Sequence, residues 1–248
     1  MIDIHAHLCF PDFEDDREVI IEKCKQELLG VVIGTARYDE ALCALKLSKR
    51  HAGFLFPTIG LHPTEDFSQV DRIIRLVHDN RESIVGIGEV GMDYHWVKDE
   101  IKRKEQAKIF SKFIALAEEL EKPLVLHTWD AEEECFNMIK DKPVSAIFHC
   151  FNGKRDLAER IIDNGFYISI STQVLFSKNV RKIAKMLPSN RILLETDSPF
   201  LAPNKELDKR NYPWNIKLAA RKIAELRHAS EDEILAHALR NAKKVFNI

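Results

Sequence analysis

The chain opens on Ile2-Asp3-Ile4-His5-Ala6-His7, six residues in which apolar and polar side chains alternate without a break. A period of two marks a β-strand, and it puts Asp3, His5 and His7 on one face. Ile2, Ile4, Ala6 and Leu8 then take the other face, towards whatever covers the sheet. Seven further apolar or β-branched runs follow, at residues 30–36, 54–61, 84–90, 124–128, 146–150, 166–171 and 192–197. The stretches between them carry helical spacing. Residues 100–120, for example, set Ile101, Ile109, Phe113, Leu116 and Leu120 along one helix, and a second at 157–164 ends at Gly165, a helix stop. After the last run comes a loop from 199 to 213, then helices over 215–227 and 230–246. Eight strands alternating with helices across 248 residues fit an α/β fold, the (β/α)8 TIM barrel, as a single domain over residues 1–248. A doubly wound open sheet finds no G-x-G-x-x-G after an early strand to support it.

Barrel enzymes build their sites at the C-terminal ends of the strands. Those ends hold His5, His7, His62, Glu89, His127, His149 and Asp197. Five of the ten histidines are in that set, whereas His51, His78, His95, His228 and His237 fall mainly in helices or loops. A lone histidine at a strand end is ordinarily just hydrogen-bonded. Several imidazoles and two carboxylates in one mouth are another matter, because a divalent metal satisfies them together. Six donors (His5, His7, Glu89, His127, His149, Asp197) exceed the three or four protein ligands that one tetrahedral zinc takes. Two divalent ions sharing a carboxylate, about 3.5–4 Å apart, use that count better. One zinc with His62 or His149 as proton shuttle is the other arrangement. Metal lowers the pKa of bound water from about 15.7 to about 7, so such a mouth points to hydrolysis. Nucleophilic serine or cysteine chemistry finds less support: G-x-S-x-G is missing, and Cys150 is expected opposite His149 as a packing residue.

Composition excludes several classes. Hydrophobic residues make up 45% and charged residues 31% of the chain, which is globular usage and not that of a disordered chain. No apolar run approaches the roughly 20 residues that span a bilayer, and the N-terminus carries no basic start or apolar signal core. A cytoplasmic protein without membrane contact is expected. The five cysteines are odd in number, widely spaced and without C-x-x-C, which points away from a disulfide framework. A net charge of −2 does not suit bulk electrostatic binding of duplex DNA, so any nucleic acid is expected to be gripped locally.

Motifs in order along nearly the whole chain resemble the TatD-like metal-dependent hydrolases of the amidohydrolase barrel superfamily. They are Asp3-Ile-His-Ala-His7, Gly60-Leu-His-Pro63, Gly88-Glu-Val-Gly-Met-Asp-Tyr94, Pro123-Leu-Val-Leu-His127, His149-Cys-Phe-Asn-Gly153, Leu194-Glu-Thr-Asp-Ser-Pro199 and the segment 241–246. The resemblance implies two divalent metal ions, described as zinc, manganese or magnesium in the family. His5, His7 and Asp197 would hold one, His127 and His149 the other, and Glu89 would bridge them where many relatives use a carboxylated lysine. A histidine-rich shell suits zinc or manganese better than magnesium. The resemblance also implies phosphodiester hydrolysis: a deoxyribonuclease, 3′-5′ exonuclease-like, whose partner is single-stranded DNA or a DNA 3′ end, with no obligatory protein partner. One position departs from the pattern. The family usually carries Asn-Glu-Pro after an arginine, and this chain reads Arg210-Asn-Tyr-Pro213, with Tyr212 in place of the glutamate.

On this reading a metal-bridging hydroxide attacks phosphorus in line, and Asp197 accepts the proton. Glu195 shares the inward face one layer deeper and serves hydrogen bonding. Substrate contacts are expected from His62, His95, Arg155 and Arg210. Asn152-Gly153 opens a helix beside Lys154 and Arg155, while Lys205, Lys209 and Arg210 lie in the loop after the last strand, where barrels often bind phosphate. Tyr94, His95 and Trp96 offer rings for a base. The same hydroxide can attack carbon, so an amidohydrolase or esterase acting on a small cyclic amide, lactone or phosphoester is the competing reading.

Overall fold

All eight strands form, each shorter than the apolar run that announced it. The computed structural model describes residues 1–204, 206 and 209–248. Its strands are β1 (Ile2–Ala6), β2 (Gly30–Ile33), β3 (Leu55–Pro57), β4 (Ile87–Gly91), β5 (Leu124–His127), β6 (Ala146–Phe148), β7 (Tyr167–Ile170) and β8 (Ile192–Leu194). Between and after them come α1 (Arg17–Glu27), α2 (Tyr38–Arg50), α3 (Val70–Asp79), α4 (Glu100–Leu120), α5 (Glu132–Ile139), α6 (Arg155–Asp163), α7 (Lys178–Met186), α8 (Ile216–Arg227) and α9 (Glu231–Phe246). Most of the trimming falls at the C-terminal ends, where the chain leaves the ladder to line the barrel mouth. The helix ends follow local chemistry. Asp99 caps α4 by accepting the Lys102 N–H at 2.9 Å, and Ser230 caps α9 by accepting that of Glu233 at 3.1 Å.

Neighbouring strands are parallel, in the orders β1-β2-β3 and β4-β5-β6-β7-β8. Parallel bridges at Ala6–Ser198 and Thr58–Gly86 join the two sheets, closing the (β/α)8 barrel. At the β8–β1 seam the His7 N–H donates to Ser198 O at 2.7 Å and the Asp197 N–H to His5 O at 3.0 Å.

Two apolar layers hold the wall. Outside, Val31, Ile33, Leu124, Leu126, Phe148 and Leu194 pack with helix residues such as Ile21, Ala44, Phe113, Ile161 and Ile223. Inside, Ile2, Ile4, Val32, Val125, Ile147, Tyr167 and Leu193 meet across the barrel, with Ala242, Val245 and Phe246 of α9 closing its floor. Fully burying one such aliphatic side chain contributes about 1.5–3 kcal/mol.

Ile2 and Ile4 thus face inward, against the outward placement that strict alternation predicts. A β-bulge is the cause. Asp3 pairs with Val31 and Ala6 with Ile33, so Ile4 and His5 together oppose Val32. Strand β4 repeats the device: Ile87 pairs with Leu124 and Val90 with Leu126, leaving Gly88 and Glu89 opposite Val125. Each bulge brings one extra residue to the inner face, His5 in β1 and Glu89 in β4. Gly88 permits this because a Cβ there would stand 2.6 Å from the Val125 Cβ. Asp3 does not lie beneath the histidines. Its carboxylate accepts the N–H of His5 (3.2 Å), the N–H of Thr196 (3.0 Å) and the Thr196 hydroxyl (2.5 Å), stitching β1 to the segment after β8.

The cysteines also correct an expectation. Cys9, just past β1, is disulfide-bonded to Cys43 on α2 with Cα atoms 6.0 Å apart, while Cys24, Cys135 and Cys150 are free. The pair is 34 residues apart in sequence, and only the β1-β2-α2 packing makes the two neighbours. Among the described residues no helix is long and apolar enough to cross a membrane.

Candidate metal centre

Glu89 is buried at the centre of the mouth, and its two oxygens face different partners. Oε1 lies 2.8 Å from His149 Nε2, 2.9 Å from His127 Nδ1 and 3.7 Å from His62 Nε2. Oε2 lies 3.5 Å from Nε2 of both His5 and His7. Asp197 Oδ1 completes the second set, 3.3 Å from His7 Nε2 and 3.9 Å from His5 Nε2. Asp197 holds this position with a left-handed backbone, φ 58°, a conformation more open to Asp than to most residues. Gly34 leaves the room that the His5 ring fills: a Cβ there would stand 2.6 Å from it.

The donors fit a divalent metal. His5 Nε2 and His7 Nε2 approach to 3.2 Å. Two nitrogens each about 2.1 Å from one ion, at right to tetrahedral angles, lie roughly 3.0–3.4 Å apart. Among the described residues, ligand atoms cluster within 4.8 Å in three groups: His5, His149 and Asp197; His5, His7 and Glu89; and His62, Glu89 and His127. Nitrogen and carboxylate oxygen without thiolate is the donor chemistry of hydrolytic metal sites.

Electrostatics keep the carboxylates charged. Burial opposes ionisation of Glu89, yet His149, His62 and His127 hold its carboxyl well below the usual range. Asp197 follows the same pattern, with burial outweighed by His7. For His62, burial and the neighbouring His127 push the ring down to about 3, so it stays neutral. Burial and His149 lower His5 as well. Burial also lowers His7, His127 and His149, but Asp197, then Asp93 with Glu89, then Glu89 with Glu195, respectively, prevail and raise them.

A second layer fixes the rings. Asp93 Oδ2 lies 2.8 Å from His127 Nε2, and Gln106 of α4 accepts the Asp93 N–H at 3.2 Å while donating to Pro63 O at 2.9 Å. Asp93 stands four residues after Glu89 within the motif already quoted, and nothing else in the sequence singles it out. Behind His149, Glu195 Oε1 lies 3.4 Å from Nδ1 and its Oε2 accepts the Ser169 hydroxyl at 2.6 Å. Cys150 is not the outward packing residue that strand alternation predicts. β6 ends at Phe148, Cys150 has φ 48°, and its thiol lies 3.3 Å from Ser171 Oγ. Burial and the charges of Asp197 and Glu195 push that thiol well up, so it stays protonated.

The sequence profile described as TatD related DNase matches residues 2–247. The chain belongs to this family. Among its relatives, an uncharacterised metal-dependent hydrolase of Methanocaldococcus jannaschii is 37% identical, over 99% of this chain and 96% of that protein. A 3′-5′ ssDNA/RNA exonuclease TatD of Erwinia tasmaniensis is 29% identical over 100% of both chains. A crystal structure of a TatD homologue from Escherichia coli shares the fold, with a TM-score of 0.90 at 23% identity, covering 100% of this chain and 98% of that one. The protein is a TatD-type metal-dependent hydrolase.

His62 joins the ligand cluster, with Nδ1 on Thr64 Oγ1 at 2.8 Å. His95 lies on the rim, its Nδ1 3.1 Å from Asp130 Oδ2. Arg155 begins α6, is 71% exposed and pairs with Glu159 at 3.0 Å. Arg210 is engaged away from the cluster: it grips Asp16 with two nitrogens at 3.0 and 2.5 Å and meets the Tyr212 hydroxyl at 3.2 Å. Tyr212, where the family usually has glutamate, stacks on Trp214 with centroids 4.7 Å apart. Lys209 is exposed, and Lys205 lies outside the described residues.

Proposed function

We propose that this hydrolase is a two-metal phosphodiesterase that shortens single-stranded DNA from its 3′ end. The carrying observation is the division of labour on Glu89, whose Oε2 faces the His5–His7–Asp197 set and whose Oε1 faces His127 and His149. His5, His7 and Asp197 would hold one divalent ion and His127 and His149 the second, with Glu89 reaching both. Zinc or manganese suits so many imidazoles. When bound, such a pair supplies an activated water and neutralises charge on the attacking and leaving oxygens. Asp197, ionised and at the open edge of the cluster, takes the proton of the attacking water. Asp93 and Glu195 hold the His127 and His149 rings in register so that no reorganisation is needed during the reaction. The neutral His62 ring stands beside Glu89 Oε1, placed to touch a substrate phosphate. Residues 1–248 would act as one unit, since these groups come from β1 through the segment after β8. The DNA assignment is supported by the family's description and by the exonuclease among the relatives.

The test pairs metal analysis with hydrolysis of a single-stranded oligonucleotide labelled so that 3′ shortening is seen. Two metals per chain and shortening that Asp197→Asn reduces about a hundredfold or more are expected. Two metals with an untouched strand, but turnover of a small ester or cyclic amide, would keep the hydrolase and discard the nuclease.

A further inference from the structure

Beyond β4 and β5 the mouth carries a group of aromatic rings outside the ligand cluster. Trp96 is 68% and Trp129 46% exposed, with the part-exposed His95 between them. His95 stacks on Trp129 at 3.9 Å, 8° from parallel, and Trp96 stands across both at 89° and 82°. The corner is held from below. Asp130 anchors His95 at 3.1 Å, and the Tyr94 N–H donates to Trp129 O at 2.8 Å, locking the two loops together.

The same corner is wired to the metal cluster. One oxygen of Asp93 accepts the Trp96 N–H at 2.7 Å, and the other lies 2.8 Å from His127 Nε2. Trp129 follows His127 by two residues, about 7 Å of chain at most. The aromatic corner therefore adjoins the His127 side of the cluster. The chemistry is that of a flat, uncharged partner. Lys98 donates its ammonium to Tyr94 O at 2.8 Å, and the Asp130 carboxylate on His95 would repel phosphate. Tyr94 is not a free platform, because the Arg103 guanidinium lies 4.2 Å over its ring.

We propose that Trp96, His95 and Trp129 form a stacking subsite for one unpaired nucleobase beside the scissile linkage. This rests on the phosphodiesterase reading and adds the feature that selects its substrate. A base inside a duplex has both faces covered by its neighbours, so the corner accepts a single strand or a frayed end. Stacking reads the face shared by every base, so the subsite tolerates sequence and is indifferent to the sugar.

The test uses the metal-loaded full chain and a fluorescent single-stranded oligonucleotide with non-hydrolysable phosphorothioate linkages. It is compared with the same strand made abasic at its 3′-terminal nucleotides. The base-bearing strand is expected to bind at least about fivefold more tightly. Trp96→Ala and Trp129→Ala should each shrink that ratio while leaving abasic affinity within about twofold, and Trp129→Phe should retain most of it. Equal binding of the two strands, or a ratio that survives the double Trp→Ala variant, overturns the subsite. Cleavage of an ordinary strand is scored separately: base-dependent binding without cleavage would end the phosphodiesterase reading and leave the subsite standing.

Discussion

His127 is held at both nitrogens, by Glu89 at 2.9 Å on Nδ1 and by Asp93 at 2.8 Å on Nε2. A ring pinned this way presents one fixed edge to the cluster, and its outer carboxylate raises its basicity. Asp93→Asn keeps the shape but removes the charge. We expect metal affinity to fall about 10–100-fold, with activity recovering as metal is raised, measured by titration of metal-stripped protein. Unchanged affinity would reduce Asp93 to a loop anchor. Residues at this scale were unequally visible in the sequence. His5, His7, Glu89, His127, His149 and Asp197 stand at or near the ends of apolar runs, where barrel geometry alone places them. Asp93 and Trp129 sit beyond their strands, and only the paths of the following loops bring them to the site. Cys150 was misplaced for a related reason: its left-handed φ of 48° ends the alternation that a strand would have continued.

The elements were legible because every strand is a short β-branched or apolar run and every run is followed by helical spacing. Their exact phase was not. The bulges in β1 and β4 insert one residue opposite Val32 and Val125, and no residue type marks them, since pairing with the neighbouring strand defines them. The loop after β8 shows how one element is tethered to another. Arg210 reaches across to Asp16, the residue preceding α1, and holds its carboxyl below the ordinary value. A carboxyl with a lowered folded-state pKa contributes stability above its unfolded value near 4 and loses it as pH falls through the folded one. Asp16→Asn should therefore lower Tm at pH 7 by a degree or so, roughly the worth of a partly exposed ion pair, and the difference should shrink below about pH 4. Thermal melts of both proteins across that range check it. A gap that persists at pH 3 would mean that packing of the Arg210 guanidinium on Phe13 and Tyr212, not charge, holds the loop.

Across the whole barrel, the ligands come from β1, β4, β5 and the segments after β1, β6 and β8, so they are spread around the ring and not confined to adjacent strands. Parallel pairing links each strand only to its neighbours, and the two bridges that close the circle are single-residue contacts at Ala6–Ser198 and Thr58–Gly86. A cation shared by Glu89 and the β1 histidines would tie one sheet to the other across that closure. Binding energy then becomes folding energy, because the unfolded chain cannot assemble the site. Metal at a hundredfold excess over its Kd stabilises by about 2.7 kcal/mol, which for a chain of this size is roughly 5–10 °C in Tm. Chelation should lower the melting temperature by that order and abolish turnover, and zinc or manganese should restore both. The gain should fade as pH falls, because protons compete for the His7, His127 and His149 rings, which their carboxylate neighbours raise. A melting temperature indifferent to metal would show that the two sheets close without help from the centre. The cluster would then be a catalytic device set on a barrel already stable without it.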